Sequence, residues 1–308
     1  MTAAMHTRSG HVEDPGWVAV WWRAARPFTF TASATPVLVG TAAAVRDTHQ
    51  FYLVIFGAAF LGSVAIQAAT NLANEYYDYT RGTDSKASPG PGHVIQDGLL
   101  SPRAVLAGSM ALFGLGSLLG LWLVAVAGWP VLVLGVLSVL AAYGYTGGPV
   151  PLGYIGLGDL VVFVFMGPGI VLGAYYVQAQ AISTTAVWAS VPMATLVTAI
   201  LVVNNLRDIE DDRRKGKRTL ATFIGPGATQ VEYILLIAAA YASIVIAVGL
   251  RSLPPAALVT LLSLPPAAQL CRRVREETDP AGMTLLLRKT AQLHQWVGLL
   301  LAGALLLS

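Results

Sequence analysis

The chain has 308 residues, of which 55% are hydrophobic and 11% charged, and its mean hydropathy is +0.64. A soluble domain carries about 25% charged residues, so this chain has too few polar side chains to coat a soluble globule. The net charge is +3, and the single cysteine, Cys271, excludes an internal disulfide.

In chain order, residues 1–16 are polar and lack the apolar stretch of a cleaved signal, so the first apolar run is expected to stay in the protein. Trp17, Trp21 and Trp22 then mark a membrane interface, as a short helix lying along the bilayer. The expected division is a polar and interfacial segment over 1–25 and a single transmembrane domain over 26–308. A bilayer core about 30 Å thick takes roughly 20 apolar residues per helix. Nine runs of that kind follow, at 27–45, 52–74, 104–127, 130–145, 155–177, 187–206, 228–248, 253–270 and 292–307. The eighth is the least regular, because it holds Pro254-Pro255 and Pro265-Pro266. Lipid offers backbone amides no partner, so helices are the default spanning element. The runs are too long and continuous for barrel strands, which alternate over about ten residues. The expected fold is all-α.

With the N-terminus in the cytoplasm, nine crossings place all but Arg46 and Arg251 of the 19 Lys and Arg residues on the cytoplasmic side. That asymmetry is what the positive-inside rule requires, and one spurious or missing span would scramble it. The chain therefore reads as a multi-pass protein of the cytoplasmic (inner) membrane. Its basic pI is a topology signal and does not point to nucleic acid.

The polar residues cluster at two helix ends. Gln67, Asn71, Asn74 and Asp78 follow spacings of 4, 3 and 4, which puts them on one helical face; Glu75 lies among them, and Arg81-Gly82-Thr83-Asp84 and Lys86 come next. The sixth run ends likewise in Asn204, Asn205, Asp208, Asp211 and Asp212, with Lys215-Gly216-Lys217-Arg218-Thr219 behind them. Asn71 matches Asn205, Asn74 matches Asp208, Asp78 matches Asp212 and Gly82 matches Gly216, each 134 residues apart. Four helices separate the copies, so both emerge on the cytoplasmic side, as in a parallel internal repeat of helices 1–4 and 5–8 with helix 9 added. Asp78, Asp84, Asp208 and Asp212, with amide oxygens beside them, are hard ligands suited to Mg²⁺. Arg81, Lys86, Lys217 and Arg218 suit a polyanion, and Mg²⁺ can bridge carboxylates to phosphates. A diphosphate at the membrane surface with an apolar cavity behind it describes a lipid diphosphate. The competing reading of either cluster alone is a solvated helix end with surface ion pairs. A matched pair whose polar residues reach one to two turns into the apolar run speaks for a cavity instead.

Asn74-x-x-x-Asp78 with Asp84, and Asp208-x-x-x-Asp212 with Gly-Lys-Arg-Thr behind it, resemble the two aspartate-rich motifs of the UbiA superfamily of intramembrane prenyltransferases. The resemblance covers about residues 20–308. Within that superfamily the chain is most similar to the 1,4-dihydroxy-2-naphthoate polyprenyltransferases of menaquinone synthesis. The strings that carry this are Arg26-Pro27, Asn71-Leu-Ala-Asn-Glu-Tyr-Tyr-Asp78, Val94-Ile-Gln-Asp-Gly-Leu-Leu-Ser-Pro102, Tyr145-Thr-Gly-Gly-Pro149, Gly156-Leu-Gly-Asp159 and Asn204-Asn-Leu-Arg-Asp208. The six-residue gap from Asp78 to Asp84 favours the naphthoate branch, and Glu75 stands where relatives often carry Asp.

The resemblance implies a helical bundle in which Asp78, Asp84, Asp208 and Asp212, with Asn74, hold Mg²⁺ and form the catalytic set. Arg81, Lys86, Arg207, Lys217 and Arg218 are the implied diphosphate ligands. Gln67, Asn71, Asn74, Arg26, Tyr145 and Asn205 are the implied acceptor contacts. For Arg26 a topology anchor, and for Tyr145 a place in an interfacial aromatic belt, stand as alternatives. Asp159 either orients a basic partner or caps the fifth helix. The implied partners are polyprenyl diphosphate, 1,4-dihydroxy-2-naphthoate and the bilayer, with oligomeric state left open. The rival readings are transfer to another acceptor such as 4-hydroxybenzoate and, more distantly, secondary transport, whose acids would sit near the membrane centre. Gly116-x-x-x-Gly120 reads as close helix packing, and His93 and His294 read as surface histidines in or near cytoplasmic loops.

Overall fold

The computed structural model describes residues 16–83 and 92–308, and these are helical apart from short connections. Helix α1 (Trp17–Ala25) buries Val20 and Ala24 and exposes Trp17 and Trp22, the two-sided character of an interfacial helix. A turn of 3₁₀ helix (Pro27–Phe30) leads into α2 (Thr31–Thr48), and α3 (Leu53–Thr80), α4 (Pro102–Ala127) and α5 (Trp129–Gly144) follow. The next membrane segment is α6 (Gly158–Val164), a π turn (Phe165–Gly169) and α7 (Ile170–Ala179). Pro168 lies inside that turn; it lacks the amide that an α-helix needs there, and the ladder widens around it. Then come α8 (Thr184–Arg214), α9 (Leu220–Gly249), a 3₁₀ stretch (Pro255–Ser263), α10 (Leu264–Glu276) and α11 (Pro280–Leu306).

All nine apolar runs are helical. Six stretches are long and apolar enough to cross a membrane: Pro27–Thr48, Leu53–Thr80, Pro102–Ala127, Gly158–Ala179, Thr184–Arg214 and Leu220–Gly249. The fourth run forms a shorter apolar helix of 16 residues. The eighth begins as 3₁₀ helix and becomes α-helical only with Pro265 and Pro266 in its first turn, where a missing amide costs little. The helices overrun the apolar stretches. α3 continues to Thr80 and α8 to Arg214, so Asp78, Asp208 and Asp212 are helical residues. Hydropathy marks where lipid-compatible side chains end; backbone hydrogen bonding carries on beyond them.

α3 packs on α4, α8 on α9, and α2 against both α7 and α11. The contact faces are rich in alanine, including Ala42, Ala43, Ala44, Ala186, Ala189 and Ala240, which lets helices approach closely without a hydrophobic drive between them. Gly116 behaves as expected of a packing glycine, since a Cβ there would strike Ile66 of α3, whereas a Cβ at Gly120 would meet nothing. His294 departs from expectation: it is fully buried in α11, because that helix starts at Pro280 and carries residue 294 into the bundle. His93 is half-buried.

Tyr233 of α9 and Thr290 of α11 are fully buried, with their hydroxyls 2.9 Å apart. Thr290 also bonds the Leu286 carbonyl. Tyr233→Phe leaves the threonine satisfied and should cost under about 1 kcal/mol, whereas Thr290→Val strands the phenol and should cost about 1–3 kcal/mol. Thermal unfolding in detergent, read as the order of the two Tm shifts, checks this.

Candidate active site

The two motif helices end in the same backbone device. At the end of α3, Thr83 N–H bonds the Asp78 carbonyl (2.9 Å) and Gly82 N–H bonds that of Tyr79 (3.1 Å). At the end of α8, Lys217 N–H bonds the Asp212 carbonyl (2.9 Å) and Gly216 N–H bonds that of Arg213 (3.2 Å). This pair of bonds is the Schellman cap, which needs a left-handed residue, and Gly82 and Gly216 have φ of +70° and +74°. Each aspartate thus occupies the same place in its helix, three residues before the capping end. Helix C-termini carry partial negative charge, so both carboxylates add to a negative pole and call for cations.

Both ends open on one cavity of about 680 Å³. Its wall on α3 runs from Ala58 to Asp78, which at 1.5 Å per residue is about 30 Å of helix. Gln67, Asn71, Asn74, Asp78, Asn204, Asn205, Arg207, Asp208, Asp211, Asp212 and Lys217 line it towards the ends of α3 and α8, together with Arg26 and Tyr145. Farther along, the lining is apolar, including Leu123, Val131, Leu134, Val139, Ile170 and Val177. Arg81 and Arg218 are not among its lining residues. Arg81 donates to the carbonyls of Thr146 and Gly148 and lies over the Tyr77 ring (5.3 Å), and Arg218 is exposed, its amide bonded to the Tyr154 carbonyl (3.1 Å). Asp84 and Lys86 lie outside the described residues.

Residues 33–306 match the model of the UbiA prenyltransferase family. The chain belongs to that family. The chain is 35% identical over 293 residues to a 1,4-dihydroxy-2-naphthoate octaprenyltransferase of Bacillus subtilis (strain 168), covering 94% of this chain and 93% of that protein. It is also 35% identical over 290 residues to the enzyme of the same name from Mycobacterium tuberculosis, covering 93% of this chain and 97% of that one. Among solved structures, a UbiA homologue from Archaeoglobus fulgidus bound to DMAPP and Mg²⁺ shares the fold, with a TM-score of 0.63 at 15% identity, over 92% of this chain and 99% of that one. This UbiA-family chain is a prenyltransferase, built as a multi-pass helical membrane protein.

The UbiA cavity has strong internal charge pairing. Arg207 holds Asp208 with two bonds of 2.7 Å, reaches Asn204 at 3.0 Å, and has a side chain only 3% exposed. Lys217 Nζ lies 3.3 Å from Asp212 Oδ1. Burial would lower the Lys217 pKa, but the negative charges of Asp212, then Asp78, outweigh it and push the ammonium above its ordinary value. Tyr145, which lines the same cavity, is half-buried. Among the described residues, no three His, Cys, Asp or Glu side chains gather into a ready metal cage. The donor chemistry nevertheless fits a hard cation. Asp212 Oδ2 is buried, lacks a hydrogen-bond partner among the described residues and belongs to a residue lining the cavity, an arrangement that is costly unless a cation or donor meets it.

Several contacts had no signal in the sequence. Asn74 accepts from Thr146 Oγ1 at 2.6 Å, and the Asp78 carboxylate accepts from the Tyr154 hydroxyl. Tyr154 and Thr146 sit in the connection between α5 and α6, where nothing is periodic. Asn71 donates to the Ala25 carbonyl (2.7 Å) and Thr29 Oγ1 (2.8 Å), and Gln67 reaches the same hydroxyl (3.4 Å), so these amides also fix the entry to α2. Asp159 does not cap its helix: Leu157 is the N-cap, and Asp159 Oδ2 is buried without a hydrogen-bond partner among the described residues.

Glu75, which the sequence marks only as a departure from Asp, is fully buried. It accepts from Arg26 Nη2 (3.1 Å) and from the amides of His93 (3.1 Å) and Ile95 (3.4 Å). Gly92 makes this approach possible, since a Cβ there would fall 2.5 Å from Glu75 Oε2. Glu75→Ala leaves the Arg26 guanidinium and two amides without their acceptor, and should cost about 3–5 kcal/mol, the scale of a broken buried ion pair. A fall in Tm well beyond that of an exposed-pair variant such as Glu210→Ala would show it.

Proposed function

We propose that this UbiA-family enzyme transfers a polyprenyl chain from polyprenyl diphosphate to 1,4-dihydroxy-2-naphthoate, with loss of CO₂, to give the demethylmenaquinone skeleton. The observation that carries the reading is a single cavity that joins carboxylate-ended helices to a long apolar wall. A diphosphate head suits the first and a prenyl tail the second. The naphthoate as acceptor is supported by the names of full-length relatives and by the shared strings around Asn71–Asp78 and Tyr145–Pro149. We place the polar end of the cavity on the cytoplasmic face of the cell membrane, as the distribution of Lys and Arg favours. We also read residues 26–308 as one domain of two parallel repeats, helices 1–4 and 5–8, plus helix 9; the matched caps at Asp78 and Asp212 support this.

Asp78, Asp84, Asp208 and Asp212, with Asn74, would hold Mg²⁺, which supplies charge neutralisation to the departing diphosphate. The protein's own groups do the rest. Lys217 lies at the cavity and meets phosphate oxygens, with Lys86, Arg81 and Arg218 contributing positive charge from the same loops. Arg207 holds Asp208 in place. Arg26, Gln67, Asn71, Asn205 and Tyr145 hold and orient the acceptor so that its electron-rich ring faces the allylic carbon. The carbon–oxygen bond to diphosphate breaks, a ring carbon bonds the prenyl carbon, and the carboxylate leaves as CO₂, any ring proton lost at the new bond being matched by one taken up where CO₂ departs. The apolar lining keeps water from the allylic cation.

The test is a transfer assay on purified protein in liposomes, with labelled polyprenyl diphosphate and either 1,4-dihydroxy-2-naphthoate or 4-hydroxybenzoate. The expected result is product from the naphthoate alone, abolished by EDTA. Product from the benzoate alone would overturn the acceptor, and no product from any acceptor would sink the enzyme chemistry proposed here. Asp78→Ala and Asp208→Ala should each lower turnover by about 10²–10³-fold or more, the scale of removing one group that stabilises developing charge.

A further inference from the structure

Tyr154 lies in the turn (Leu152–Tyr154) between α5 and α6, midway between the motif helices in sequence. It touches both motifs. Its hydroxyl donates to Asp78 Oδ1 and lies 2.9 Å from Thr83 Oγ1. Around its ring are the Arg81 guanidinium (5.2 Å to the centroid) and the Lys217 ammonium (5.4 Å), both within cation–π range. Its carbonyl accepts from the Arg218 amide, and Ile155 pairs with Arg218 as an isolated parallel bridge. One residue thus contacts a carboxylate and a cation from the end of α3 and a cation and backbone from the loop after α8. Two like charges beside one ring repel each other; Arg81 is held there by the Thr146 and Gly148 carbonyls and Lys217 by Asp212, with the ring face between them.

We propose that Tyr154 is a positioning residue that sets the spacing of the two motifs: its hydroxyl aims the Asp78 carboxylate, and its ring seats the Lys217 ammonium beside it, so that carboxylate and ammonium meet a Mg²⁺-bound donor diphosphate at once. The proposal rests on the donor and metal reading given above. An aspartate side chain turns freely about two bonds; a hydrogen bond to one oxygen fixes its direction and leaves the other oxygen for a ligand. Supporting contacts of this kind are worth about 10- to 100-fold in metal affinity. Tyr154 therefore governs how tightly donor and metal are held, and the chemical step follows once they are in place.

The test uses full-length purified protein without acceptor, measuring binding of labelled polyprenyl diphosphate as Mg²⁺ is titrated. Tyr154→Phe keeps the ring and loses the hydroxyl. The Mg²⁺ concentration for half-maximal donor binding should rise about tenfold or more. Turnover at saturating Mg²⁺ and donor should return to within about twofold of wild type, and the KM for acceptor should not move. Tyr154→Leu, which also removes the ring, should weaken donor binding further. Thr83→Val, which removes the neighbouring hydroxyl and leaves Tyr154 in place, provides a second route and should shift the Mg²⁺ requirement in the same direction. A merely structural tyrosine would instead lower Tm and turnover together, with no rescue by Mg²⁺. Wild-type Mg²⁺ dependence in both Tyr154→Phe and Thr83→Val would overturn the proposal while leaving the donor reading intact. Wild-type protein that binds no diphosphate with Mg²⁺ would sink the donor reading itself.

Discussion

Two helices that run towards the same cavity each place a carboxylate in their last turn, where the backbone already carries partial negative charge. This concentration of negative charge is the constraint that organises the molecule around it. Arg207 clamps Asp208, Lys217 reaches Asp212, and Tyr154 donates to Asp78, so no described carboxylate of the set is left wholly to itself. The compensation is incomplete at Asp212, whose second oxygen is buried without a hydrogen-bond partner among the described residues. On the function proposed above, a divalent cation and the phosphates it carries would complete this balance.

The rest of the bundle supplies the opposite environment. Alanine-rich contacts let α2, α7, α8 and α11 pack closely on one side, and the looser apolar wall between α3, α5 and α7 leaves the cavity its length. Pro168 and its π turn contribute by widening the fifth segment where a regular helix would run straight. Burial in the protein and exposure to lipid are equally apolar here, and this is why the cavity can be long without being costly.

Much of the fold was legible from hydropathy alone. All nine runs are helical, and the matched motifs marked two equivalent helix ends, which the structure finishes with the same cap. Hydropathy alone did not give the helix lengths, because Asp78, Asp208 and Asp212 continue the backbone ladder past the last apolar residue; their helical spacing did place them on α3 and α8. His294 was misplaced for the same reason: α11 starts at Pro280, before the hydropathy of that run rises. Of the expected site residues, those on α3 and α8 line the cavity because helical periodicity fixed their face. Arg81 and Arg218 do not, because they lie in loops, where spacing says nothing about direction. Tyr154 and Thr146 escaped notice because their importance comes from a fold that brings the α5–α6 connection against both helix ends.

Glu75 has a mechanical consequence. One face of α3 presents Asn74 and Asp78 to the cavity, while Glu75, a single residue along, grips the amides of His93 and Ile95. His93 is itself part of the cavity lining. Cover and carboxylate are therefore geared to the same shaft. A small roll or slide of α3 would carry the rim and Asp78 together, and whatever loosens the rim must also disturb the aim of the carboxylate.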